Sequence, residues 1–128
     1  MADRIDRIQS PETAPPGGHY SPATAFGALV FISGQLPVLA DGTHDPAASF
    51  EEQTRRALGN LLAVARAAGS SAERVLKVTA YVAGMDNWPA FNRIFAELFG
   101  DARPARAVVP VPPLHRGYLV EVEAIAAR

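Results

Sequence analysis

The chain reads as an α+β domain of order ββαβαββ, one mixed sheet with two helices on one face. Two segments alternate apolar and polar residues with the period of a strand, Val75 to Val82 and Tyr118 to Ala126. Two others repeat apolar residues at helical spacing and stop at a glycine, the first before Gly69 and the second before Gly100.

A first strand is weakly marked near Arg4 to Gln9. Pro11, Pro15, Pro16, Gly17 and Gly18 make Ser10 to Ser21 a loop. Ala23 to Ser33 then contains Leu29-Val30-Phe31-Ile32, a buried strand introduced by the turn residue Gly27 and followed by Gly34. Pro37, Asp41-Gly42 and Asp45-Pro46 mark a loop between Leu36 and Ala48.

Ser49-Phe50-Glu51-Glu52 has the form of a capping box, in which the serine accepts from a free amide and the glutamate returns the bond. Leu58, Leu61, Leu62 and Ala65 form the apolar stripe of this helix. In the strand that follows, Leu76, Val78, Ala80 and Val82 make one face and Lys77, Thr79 and Tyr81 the other. A second helix starts near Asp86 or Asn87, accepts Pro89 in its first turn, and carries Phe91, Ile94, Phe95 and Leu98. Strands over 104–111 and 118–126 complete a single domain, 1–128, without repeats.

With 128 residues the chain buries roughly two thirds of its unfolded surface. Twelve Lys and Arg against 13 Asp and Glu leave no basic stripe for phosphates, which excludes nonspecific nucleic-acid binding. Without cysteine there is no disulfide, thiolate metal site or cysteine nucleophile. The charged start, Met1 to Arg7, lacks the apolar core of a signal peptide, and no segment has the length of a membrane span. A cytoplasmic protein with neither nucleic acid nor membrane as partner is the expectation. His19, His44 and His115 lack zinc or triad spacing and read as surface or loop residues.

Arg106 lies in Pro104-Ala105-Arg106-Ala107-Val108-Val109, where its neighbours are small, apolar or proline. A guanidinium carried into a sheet needs an anionic partner, because an unpaired buried cation costs several kcal/mol. That partner is either a carboxylate of the protein or one of a small ligand. In the last strand Tyr118, Val120, Val122, Ala124 and Ala126 form an apolar face, with Glu121 and Glu123 opposite. If Ala105, Ala107, Val109 and Val111 likewise face the core, then Arg106 and Val108 share the open face with Leu119, Glu121, Tyr81 and Thr79. That face is too apolar to stay wet, so association through it is expected, with the arginine and carboxylates near a subunit boundary.

Several blocks resemble the Rid family of reactive-intermediate deaminases, also labelled L-PSP endoribonuclease-like. They are Gly18-His19-Tyr20-Ser21-Pro22-Ala23, Phe31-Ile32-Ser33-Gly34-Gln35-Leu36-Pro37, Ala67-Ala68-Gly69-Ser70, Asn92, Pro104-Ala105-Arg106 and Val120 to Ala126, in order from about residue 15 to the end. The resemblance implies a chorismate-mutase-like fold and a homotrimer with sites between subunits. It implies hydrolysis of 2-imino or 2-enamino acids to 2-oxo acids and ammonia, without metal or organic cofactor. By that resemblance Arg106 holds the substrate carboxylate and Glu121 stands near the attacking water, the two catalytic positions. Tyr20, Ser33, Gly34, Asn92 and Val108 complete the substrate-binding set. The best-known members have a cysteine at Val108, a proline at His19 and a glutamine at Pro22, and an arginine within the segment occupied here by Pro112-Pro113-Leu114-His115.

The residue types suit the chemistry. A guanidinium grips a planar carboxylate with two parallel bonds, and a carboxylate one hydrogen bond from a water can take its proton. Each position also has a plainer reading. In that reading Glu121 neutralises Arg106, Glu123 is a solvated acid, Tyr20 a packed ring, Gly34 a backbone bend and Asn92 a link to a loop. Ser33 lacks a histidine base for a nucleophilic role. The other functions open to the chain are noncatalytic binding or sensing of a 2-oxo acid and, against its acidic balance, ribonuclease or translation-inhibitor activity.

Overall fold

The computed structural model describes residues 3–128; Met1 and Ala2, at the head of the expected domain, lie outside the described residues. The strands are β1 (Ile5–Ile8), β2 (Ala23–Phe26), β3 (Leu29–Gln35), β4 (Val75–Ala83), β5 (Ala105–Val111) and β6 (Val120–Ala127). The helices are α1 (Phe50–Ala67) and α2 (Trp88–Phe99). The sheet runs β1-β2-β3-β6-β4-β5, antiparallel except for the parallel β4–β5 pair that α2 bridges.

The order is therefore βββαβαββ, one strand more than the sequence pattern indicates. Ala23 to Ser33 is a hairpin: Phe26 pairs with Leu29 across Gly27-Ala28, and Gly27 alone of the two has positive φ, 60°, as a type II′ turn requires. Ala23-Thr24-Ala25-Phe26 lacks the β-branched density that identifies β3. A second departure is Leu76, expected in the core but 47% exposed. A bulge between Val75 and Lys77 shifts the register, so Val75 takes the buried place.

Both helices cover one face, and one core cluster joins Leu58, Leu61 and Val64 of α1, Phe91, Ile94 and Phe95 of α2, and Val30, Val78, Val120 and Val122 of the sheet. Ser49 caps α1 by accepting from the Glu52 amide at 3.1 Å, an interaction worth about 1 kcal/mol. The return half of the capping box is missing: the Glu52 carboxylate turns to Arg56, 3.3 Å away. Gln53, buried in the first turns of α1, donates to the carbonyls of Pro46 and Ala48 and accepts from the Leu119 amide. No described helix is long and apolar enough to cross a membrane.

The other face of the sheet is uncovered. Leu29, Phe31, Val109 and Glu123 are exposed on it, and Glu121 is half-buried there.

Candidate active site

Strand parity fixes where the chemical groups point. Glu121 pairs with Tyr81 and Glu123 with Thr79 in the β4–β6 ladder, all four on the open face. Glu123 accepts a hydrogen bond from the Tyr81 hydroxyl at 3.2 Å. Among the described residues no hydrogen bond or ion pair holds the half-buried Glu121 carboxylate. Burial holds this carboxyl above the usual range, the neighbouring Glu123 charge pushes it further up, and His115 opposes them.

Glu121 lines a cleft of about 400 Å³, within the range of small-ligand sites. The loop from Thr13 to Gly18, Tyr20, Gly34, His44, His115 and Arg116 also line it. Gly34 is where the sheet makes room for the acid: β3 loses register with β6 between Ile32 and Gln35, and the Glu121 carboxyl lies over the missing side chain. Ser33 is placed beside the cleft without lining it. Its hydroxyl donates to the Ser21 carbonyl at 2.6 Å and its amide to the Pro22 carbonyl at 2.9 Å, so it clips the loop to β3. Tyr20 is 53% exposed at the cleft margin.

Arg106 corrects the sequence expectation. It stands opposite Val78, and Val108 opposite Ala80, two fully buried positions, so Arg106 and Val108 point to the helix face while Glu121 and Glu123 point to the open one. Apolar alternation in β5 could not reveal this, because the open face is itself apolar there. Nor is the guanidinium deep in the sheet, since β5 is an edge strand and Arg106 is half-buried. Its central carbon lies 4.8 Å from the Phe95 ring centroid and 5.8 Å from that of Phe91. Among the described residues no carboxylate reaches it within 4 Å. The rings favour the cation while leaving its N–H groups free. Asn92, half-buried on α2, follows Phe91 directly.

Within one chain the predicted site is therefore divided. Tyr20, Gly34 and Glu121 meet at the cleft, with Ser33 behind them; Arg106, Val108 and Asn92 belong to the α2 side. Sequence reasoning missed His44, His115 and Arg116. The His44 Nδ1 lies 3.0 Å from the hydroxyl of fully buried Tyr118, which also accepts from the Asp45 amide at 3.2 Å. Burial lowers the His44 pKa, and the charges of Arg116 and His115 lower it further. Only their convergence from distant loops could have found them.

A six-stranded mixed sheet backed by two helices is the architecture of the YjgF/L-PSP proteins. The chain belongs to this Rid/YjgF/L-PSP (RutC) family: residues 11–128 match the family described as Endoribonuclease L-PSP. It is 40% identical over 116 residues to a RutC family protein of Pyrococcus horikoshii, covering 90% of this chain and 92% of that one. Among solved structures it is similar to YyfA of Yersinia pestis, a protein of the Rid family, with TM-score 0.91 and 33% identity over 98% of this chain and 100% of the other. It is also similar to Escherichia coli TdcF with bound serine, with TM-score 0.90 and 29% identity over 96% and 98% of the two chains.

Proposed function

We propose that the protein hydrolyses 2-imino and 2-enamino acids to 2-oxo acids and ammonia, in a cleft completed by a second copy of the chain. The observation that carries this reading is the division of the site. Among the described residues, a guanidinium with no carboxylate within 4 Å and a carboxylate in no ion pair lie on opposite faces of one sheet, and a neighbouring copy in a homotrimer would join them. The apolar open face, with Phe31, Leu29 and Val109, supplies the surface for that association. Serine in the E. coli relative is a ligand of the required size that carries a carboxylate.

Arg106 of one copy binds the substrate carboxylate, with bonds worth about 1.5 to 3 kcal/mol each. Glu121 of the other accepts a proton from water as its oxygen bonds to the imine carbon, giving a carbinolamine. That proton passes to the nitrogen; Glu121 then moves the hydroxyl proton of the carbinolamine to the nitrogen as well, the C=O bond forms as the C–N bond breaks, and a 2-oxo acid and ammonia leave. An enamine first gains a proton at carbon 3 and loses one from nitrogen to become the imine. Desolvation that raises the Glu121 pKa makes the carboxylate a better base. Since imines hydrolyse in water unaided, a base contribution of about 10² to 10⁴ suffices. The cytoplasm is the compartment we propose for this reaction.

The test generates an imino acid in situ with an amino-acid oxidase, traps what survives with semicarbazide, and compares wild type, Arg106→Lys, Glu121→Gln and buffer. Less trapped imine with wild type alone is expected. Wild type equal to buffer, with 2-oxo acid binding retained, would make the protein a sensor instead. RNA cleavage surviving Arg106→Lys would favour the ribonuclease that the family description names.

A further inference from the structure

We propose that the cleft beside Glu121 selects imino acids whose side chain ends in a second carboxylate, with Arg116 and His115 as the recognising residues. This rests on the deaminase reading for the reaction, but its binding part stands or falls separately.

The cleft lining is electrostatically lopsided. Among the described residues that line it Glu121 is the only acid, whereas His44, His115 and Arg116 are all there. Elsewhere the chain pairs its helical arginines: Arg55 with Glu97, Arg66 with Glu12 and Arg93 with Glu51. Among the described residues neither Arg116 nor His115 has a carboxylate within 4 Å, although acids make up 13 of the 128 residues.

The backbone that carries these two exposed side chains is fixed in a tight turn rather than left as a loose loop. The Gly117 amide donates to the Leu114 carbonyl and the Leu114 amide to the Tyr118 carbonyl, both at 2.8 Å. Arg116 is the one described non-glycine residue with positive φ, 62°, a conformation that arginine rarely adopts and that a tight turn imposes here. Buried Tyr118 anchors the end of the turn, and its hydroxyl lies 3.0 Å from Nδ1 of His44, which lines the cleft. The turn thus presents adjacent basic residues at the cleft, where a guanidinium can take a carboxylate through two parallel bonds.

Geometry assigns the pair to the side chain of the substrate rather than to its α-carboxylate. In the deaminase reading the α-carboxylate belongs to Arg106 of a second copy, and the imine carbon must lie beside Glu121. Arg116 and His115 line the same cleft as Glu121, so what remains of the substrate meets them. A second carboxylate there gains charge-assisted bonds that an alkyl side chain cannot make.

The test compares imino acids made from alanine, aspartate and glutamate by amino-acid oxidases, with catalase removing the peroxide. Wild type is expected to favour the dicarboxylic imines by about tenfold in kcat/KM, the scale of one charge-assisted bond. Arg116→Met should bring the substrates to within about twofold of one another, and Arg116→Lys should keep part of the preference. Equal rates in wild type, or a proportional loss on all substrates in Arg116→Met, would overturn the assignment. If no imine is turned over, the deaminase reading fails and calorimetry decides the binding question. Oxaloacetate and 2-oxoglutarate binding more tightly than pyruvate, with the difference lost in Arg116→Met, upholds it; equal binding ends it.

Discussion

Glu121 is packed so closely on the backbone of Gly34 that a β-carbon at position 34 would lie 2.7 Å from Oε2 and 3.0 Å from Cδ of the carboxylate. Gly34 has no positive φ, so it is needed for this approach and not for a left-handed turn. The register break in β3 and the placement of the acid are two aspects of one local arrangement.

Gly34→Ala should therefore move the carboxylate while leaving the fold intact, since the group in the way is the end of a flexible side chain. A fall in kcat of about tenfold or more is expected, with a stability change of about 1 kcal/mol or less by urea denaturation. The double variant Gly34→Ala/Glu121→Gln should be no slower than Glu121→Gln alone, because both act through one group. Additive losses would show that Gly34 serves something other than Glu121.

The pH dependence follows from the same carboxylate. Burial raises its pKa above the ordinary 4.5, and Glu123 adds to the effect. Activity that needs ionised Glu121 should fall as pH drops through that raised pKa, so the acid limb of kcat lies above the ordinary carboxylate value. Glu123→Gln removes a repelling charge and should move the limb to lower pH; His115→Ala removes an opposing one and should move it higher. Stability has the opposite sense. Protonated Glu121 favours the folded state, so its contribution is fully present below the unfolded pKa and is lost as pH rises through the folded one. Kinetic profiles of the three proteins with a pre-formed, spectroscopically followed imine test the ordering, and an acid limb unmoved in Glu123→Gln would contradict it.

Phe95 provides a test of Arg106 that leaves the arginine in place. The ring under the guanidinium contributes about 0.5 to 2 kcal/mol to holding it. Phe95→Leu is expected to raise KM by about 3- to 10-fold with a much smaller change in kcat, because it weakens the grip on the substrate carboxylate and not the attack of water. Phe95→Tyr, which keeps the ring, should restore KM. A merely structural role would instead lower stability in both variants without separating KM from kcat.

The sequence carried the fold better than the site. The helices, β4 and β6 were legible because one side of each element meets a single core, and period alone then identifies the buried face. For β5 that logic failed: Ala105, Ala107 and Val109 are apolar yet face the open side, whereas Arg106 lies over aromatic rings on the helix side. An edge strand on a sheet apolar on both sides has no parity signal. Tyr20, Gly34 and Glu121 could be placed by their resemblance to family motifs, and the structure brings them to one cleft. His44 and Arg116 could not, because their proximity depends on Tyr118 tying two irregular loops together, a contact with no periodicity.

The proposed division of the site between two copies gives the most stringent prediction. Phe31 is 45% exposed at the centre of the open face, opposite Ile125 in the β3–β6 ladder. Phe31→Glu should leave the protomer folded, since the side chain meets water in a single chain, but reduce a trimer to the 13.6 kDa monomer in sedimentation and abolish activity. Complementation tests the division directly. Arg106→Lys supplies an intact Glu121, and Glu121→Gln supplies an intact Arg106. Neither is active alone, but a site that takes one residue from each of two copies is intact in about one quarter of the pairings when equal amounts are co-refolded. Recovery of about a quarter of wild-type activity is therefore expected. No recovery from mixed trimers would overturn the two-copy site.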